Sequence, residues 1–77
     1  MKHLLEAFGV AVRSLREEKK ISEEQVANMV GLHRTYISSV ELGNRNISIK
    51  NIYRIAKALN ISMSDLIELC ESKFNDE

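Results

Sequence analysis

"EEQVANMVGLHRTYISSVELG", residues 23–43, holds two short apolar patterns of helical spacing with one glycine between them. Ser22 and Gln25 form a capping box that opens a helix at about 23–30. Gly31 stops that helix, because it can take left-handed backbone. The following helix runs about 34–42 and ends at Gly43. On a wheel of about 100° per residue, Tyr36, Ile37 and Val40 share one side. The opposite arc carries Arg34, Thr35, Ser38, Ser39 and Leu42. Instead of an ordinary charged, solvated face, this helix offers short hydrogen-bonding side chains around a single long cation.

The connection between these helices is too short for parallel packing, so they must cross steeply. A small contact residue and a tight turn are required, and Ala27 and Gly31 supply them. Val26, Val30, Leu32, Ile37 and Val40 then form a shared core. This arrangement predicts a helix-turn-helix at about 23–42, whose second helix projects into the DNA major groove. Serines and a threonine keep the outer face low enough to sit deep in a groove. Arg34 can meet guanine O6 and N7 bidentately, and Thr35 can bond a base edge or touch a thymine methyl. A merely solvated, serine-rich face is the blander alternative. The offsets of Ala27, Gly31, Ile37 and Val40 weigh against it.

The rest of the chain fits a single all-α domain, 1–77, built as a compact five-helix bundle. Proline is absent and β-branched alternation is weak. A first helix is expected at about 2–19, with Leu4, Phe8, Val12 and Leu15 on its stripe. Ser48 caps a fourth helix at about 49–59, with Ile52, Ile55, Ala56 and Leu59 inward and Asn60 closing it. Ser62 and Asp65 open a fifth at about 63–73, and a tail of Asn75, Asp76 and Glu77 is expected to fray. Seventy-seven residues lie near the lower limit for a self-sufficient core.

The formal net charge is zero, yet it is unevenly spread. Segment 33–60 carries +4 and segment 61–77 carries −4. No apolar run approaches the roughly 20 residues of a membrane span, so a cytoplasmic protein with no membrane partner is expected. The single Cys70 has no disulfide partner or metal-ligand companions. No phosphate loop, paired catalytic carboxylates or nucleophile–base set appears, so no enzyme activity, cofactor or metal is assigned. His3 is expected on the surface, and His33 is a poor N-cap that can approach a phosphate. Met29 and Met63 fit core or interface packing. Arg13, Lys19 and Lys20 are either solvated or line the DNA backbone.

"VRSLREEKKIS" (12–22), "EEQVANMVGL" (23–32) and "YISSVELGNRNIS" (36–48) together resemble the phage repressor/Cro (XRE-type) helix-turn-helix family, of lambda-repressor-like fold. "RTYIS" and "RNISIKN" resemble, more narrowly, the controller proteins of restriction–modification systems. The resemblance spans about residues 6–70. It implies a small homodimeric, bacterial or phage-encoded transcription factor acting at the nucleoid on palindromic operators in double-stranded DNA. It also implies activation of an endonuclease gene, with RNA polymerase a further partner, and self-limitation at higher occupancy.

Carried over by position, the resemblance implies base reading by Arg34, Thr35, Ser38 and Ser39. It implies a DNA-backbone or base-step contact by Tyr36, phosphate contacts by Asn44, Arg45 and Asn46, and a buried ion pair between Arg16 and Glu41; His33, read from its own position, joins the DNA-backbone candidates. Two positions depart from the family. Glu23 stands where Gln commonly sits beside a phosphate; it suits the helix dipole, repels the DNA backbone, and can instead pair with Arg34. Ile47 replaces a common Pro and is expected to loosen the loop before the fourth helix.

The fifth helix, as a dimerisation helix at about 62–74, carries an apolar stripe of Met63, Leu66, Ile67 and Cys70, extended by Phe74 and widened by Ile61 and Leu69. Part of that width is expected to stay exposed in a monomer and to form a homodimer interface centred on Leu66 and Ile67. Two rivals to a controller protein are a phage-type repressor and an antitoxin or anti-repressor module binding protein. A protein partner would favour aromatic or apolar side chains at 34–39, where short polar groups stand.

Overall fold

The computed structural model describes residues 3–75. They form five α-helices: α1 (Leu4–Glu18), α2 (Glu23–Val30), α3 (Arg34–Glu41), α4 (Ile49–Ala58) and α5 (Met63–Asn75). The expected helix limits hold to within a residue or two, and residues 2, 76 and 77, which entered the expectations, lie outside the described part. No strand occurs among the described residues.

Local chemistry explains the boundaries. Ser22 Oγ accepts the Gln25 N–H at 3.0 Å while Gln25 Oε1 accepts the Ser22 N–H at 2.7 Å, so α2 starts with both groups satisfied. Ser48 and Ser62 cap α4 and α5 by accepting the N–H groups of Asn51 and Asp65. Four helices end on a residue of positive φ: Lys20, Gly31, Gly43 and Asn60. After each, the next N–H reaches back to a carbonyl inside the helix, from Ile21 to Arg16, Leu32 to Ala27, Asn44 to Ser39 and Ile61 to Ala56. His33 N-caps α3 through its backbone carbonyl alone, without a side-chain cap.

The core gathers one face from every helix: Phe8, Ala11 and Val12 of α1, Val26 and Ala27 of α2, Ile37 and Val40 of α3, Ile55 and Ala56 of α4, Leu66 and Cys70 of α5. Helix α1 packs chiefly on α5 and on α3, while α2 packs on α3 and α4. Gly9 sits where α1 crosses the end of α3. A Cβ there would strike the carbonyl oxygens of Val40 and Glu41, so the crossing is a contact between backbones.

Three expectations need correction. Leu4 is 54% exposed, although its carbonyl oxygen lies 4.0 Å from Cys70 Sγ of α5, so its side chain turns outward while the first turn of α1 stays packed. Ile47 is partly buried against the core, so it secures the loop before α4 rather than loosening it. The third concerns the α5 stripe. Leu66 and Cys70 are buried within the protomer, since α5 lies along α1, and neither is available to a partner. Ile67 is exposed and Met63 half-buried.

Candidate nucleic-acid interface

Helix α3 divides as its wheel requires. Ile37, Val40 and Glu41 are buried, and Tyr36 is half-buried. Arg34 and Thr35 are exposed and Ser38 and Ser39 half-exposed, so the four proposed base readers share the accessible side. His33 precedes them, also exposed. The loop after Gly43 presents Asn44, Arg45 and Asn46, all exposed.

The loop is tied to α3 through Tyr36. The guanidinium of Arg45 lies 5.0 Å from the centre of the Tyr36 ring, a cation–π contact. The Tyr36 hydroxyl accepts a hydrogen bond from Asn51 Nδ2 of α4 at 3.0 Å, which leaves its own proton free to donate outward. Arg54 Nη1 approaches Asn51 Oδ1 at 3.5 Å. Asn51 and Arg54 were not anticipated, and nothing in their spacing marks them: the bonds exist because α3 and α4 converge there.

Behind α3 lies the Arg16–Glu41 pair. Arg16 Nε donates to Glu41 Oε2 at 2.7 Å and Nη2 to Oε1 at 3.0 Å, a bidentate fork from α1 to α3. Arg16 Nη1 also donates to the Ile21 carbonyl at 3.0 Å, fastening the turn after α1. Burial holds the Glu41 carboxyl above the ordinary carboxylate range; Arg16 opposes that shift and the nearby Glu23 adds to it. Hydrogen bonding to Glu41 strengthens the hold of Arg16 on its proton. The pair thus favours the cation and taxes the anion, because the carboxylate is the drier partner, with 4% of its side chain exposed against 13%. In front, Glu23 Oε1 stands 3.8 Å from Arg34 Nε.

A helix-turn-helix family model matches residues 12–66. The chain is 44% identical to control protein C.BamHI of Bacillus amyloliquefaciens across 86% of this chain and 89% of that protein. It superposes on the restriction–modification controller protein C.AhdI of Aeromonas hydrophila with a TM-score of 0.79 at 44% identity, covering 80% of this chain and 94% of that one. It also superposes on the controller protein C.Esp1396I, solved as a tetramer with its natural 35 base-pair operator, with a TM-score of 0.84 at 32% identity over 95% and 96% of the two chains. With α2 and α3 built as a capped, glycine-turned pair and with relatives this similar along most of their length, the chain belongs to the helix-turn-helix family, in its group of restriction–modification control proteins.

Proposed function

We propose that this protein is a sequence-specific transcriptional regulator that binds a palindromic operator as a homodimer and controls a restriction–modification operon. One observation carries the reading. The core takes the apolar side of α3 and leaves a low, polar, cation-led side accessible. Arg34, at the start of α3, would take a guanine edge, with Thr35, Ser38 and Ser39 alongside it in the groove. Arg45, Asn44 and Asn46, with the Tyr36 hydroxyl and His33, would hold the flanking phosphates, which fix register without reading sequence. Activation from such an operator brings RNA polymerase to the same promoter as a further partner.

The second half-site needs a second copy. Half-sites lie about 34 Å apart, whereas the described residues span 32 × 23 × 22 Å and hold one such helix. Apolar side chains among acidic and polar ones suit the contact: Ile67 and Met63 of α5 border one groove beside Asp65, Glu68 and Glu71, and Met63 borders the next with Ile61, Tyr53 and Lys57. Tyr53 is 53% exposed and joins Ile67 and Met63 as an interface residue in place of the buried Leu66 and Cys70.

The test compares two arginines. Arg34→Ala should lose about 1–3 kcal/mol of operator binding and relax preference at one base position per half-site. Arg45→Ala should weaken binding to all sequences alike and flatten the salt dependence. Competition binding across site variants distinguishes the two. Full base preference in Arg34→Ala would remove Arg34 from the reading.

A further inference from the structure

Arg34 does not stand free on its helix. Glu23, the first residue of α2, reaches across the turn, with its Oε1 at 3.8 Å from Arg34 Nε. The two side chains differ in freedom: Glu23 has 21% of its surface exposed and Arg34 has 67%. The carboxylate is therefore the fixed partner and the guanidinium the moving one. At 3.8 Å the attraction is ionic without a formed hydrogen bond, so the N–H donors of Arg34 stay available to a ligand. Glu23 also lies close to the Arg16–Glu41 fork: it raises the Glu41 carboxyl and strengthens the hold of Arg16 on its proton.

We infer that Glu23 is a positioning residue that sets sequence discrimination, by holding Arg34 towards a base edge and by opposing its use on phosphate. The inference rests on Arg34 as the base reader. A phosphate taken by Arg34 beside Glu23 would lie near the fixed carboxylate, and two like charges repel; a phosphate farther off would draw the guanidinium away from its partner. A guanine edge is neutral and offers two acceptors that fit the arginine fork, so it takes the same side chain without that repulsion. Glu23 thus weakens binding to arbitrary DNA more than binding to the chosen site. A neutral Gln here would keep the length of the side chain and remove the share of the discrimination that Glu23 adds.

The experiment uses the full chain and the tightest site selected by it from a random-sequence library. Binding of wild type, Glu23→Gln, Glu23→Asp, Arg34→Ala and the Glu23→Gln/Arg34→Ala double variant is measured on that site and on random-sequence duplex across a salt series. Glu23→Gln is expected to gain affinity for random duplex and to lower the ratio of selected to random binding by roughly two- to fivefold, the scale of a partly exposed ion pair. Its salt dependence on random duplex should steepen by about one phosphate contact. Glu23→Asp, which keeps the charge, should recover most of the ratio. In the Arg34→Ala background, Glu23→Gln should leave base preference unchanged. If Arg34→Ala loses its base preference while Glu23→Gln keeps the wild-type ratio, the role of Glu23 is refuted and the reading of Arg34 survives. If Arg34→Ala keeps full base preference, both fall.

Discussion

Arg16 and Glu41 tie α1 to α3 through one bidentate pair of side chains. Removing one partner of a buried pair strands the other charge, at a cost of about 3–5 kcal/mol, a large share of what a small domain has. Arg16→Ala should therefore lower stability sharply and reduce DNA binding only through unfolding. The loss should also depend on pH. Glu41 already has a raised carboxyl, and without Arg16 it lacks the group that opposes the shift. A carboxyl raised in the folded state favours folding below the ordinary carboxylate range, and that advantage disappears as pH rises through the raised value. Urea melts at about pH 5 and about pH 8 should thus show the smaller loss at the lower pH. Equal losses would mean that Glu41 finds another partner when Arg16 is gone. The resemblance supplied this pair, whereas the tie between Tyr36 and Asn51 was invisible in the sequence. Hydrogen bonds between residues on different helices follow from how the helices are docked, and no local spacing encodes that.

At the level of the helices, caps and turns were legible because each is decided within a few residues. Ser22 with Gln25, Gly31, Gly43, Ser48, Asn60 and Ser62 all act where their local chemistry put them. Lys20 is different: it holds left-handed backbone at φ 58°, which lysine does not advertise. Gly9 does carry a signal, since a lone glycine inside a strongly helical pattern marks close approach of another backbone. The side chain added by Gly9→Ala would push α1 off the Val40 and Glu41 carbonyls. Overpacking of this kind costs about 1–3 kcal/mol, sometimes more, and against backbone carbonyls that cannot swing aside it falls towards the upper end, above the roughly 1 kcal/mol that alanine gains over glycine within a helix. Thermal melting of Gly9→Ala should show net destabilisation, and an unchanged or raised melting temperature would mean that α1 and α3 are not in backbone contact.

For the whole molecule, the least legible feature was the division of α5 between core and surface. Its apolar stripe is wider than one neighbour can cover, and sequence alone does not tell which half turns inward. The rotation that buries Leu66 and Cys70 is set by packing on α1, and it leaves Ile67 outward. Burial also raises the Cys70 thiol, with Glu71 adding to the shift, so the thiol stays protonated and poorly reactive near neutrality. Within the proposed interface, Ile67 is the position at which oligomerisation is separable from folding, because its side chain is exposed in the protomer. Ile67→Asp should yield folded monomers that bind operator DNA far more weakly, measured by sedimentation at micromolar concentration alongside wild type. A monomeric wild type would end the proposed α5 interface. A dimeric Ile67→Asp variant would move the interface towards Tyr53.

Helix α3 is sewn in from one side only. Ile37, Val40 and Glu41 hold it, Gly9 fits it to α1, and positions 34, 35, 38 and 39 remain outside the core. Mutations at those four positions can therefore accumulate with little effect on stability. On the proposed reading of these positions as base readers, a lineage of such proteins is free to drift from one target sequence to another without passing through an unfolded ancestor. The constraint on that drift is the carboxylate of Glu23: a new residue at position 34 must either make use of it or evolve together with it.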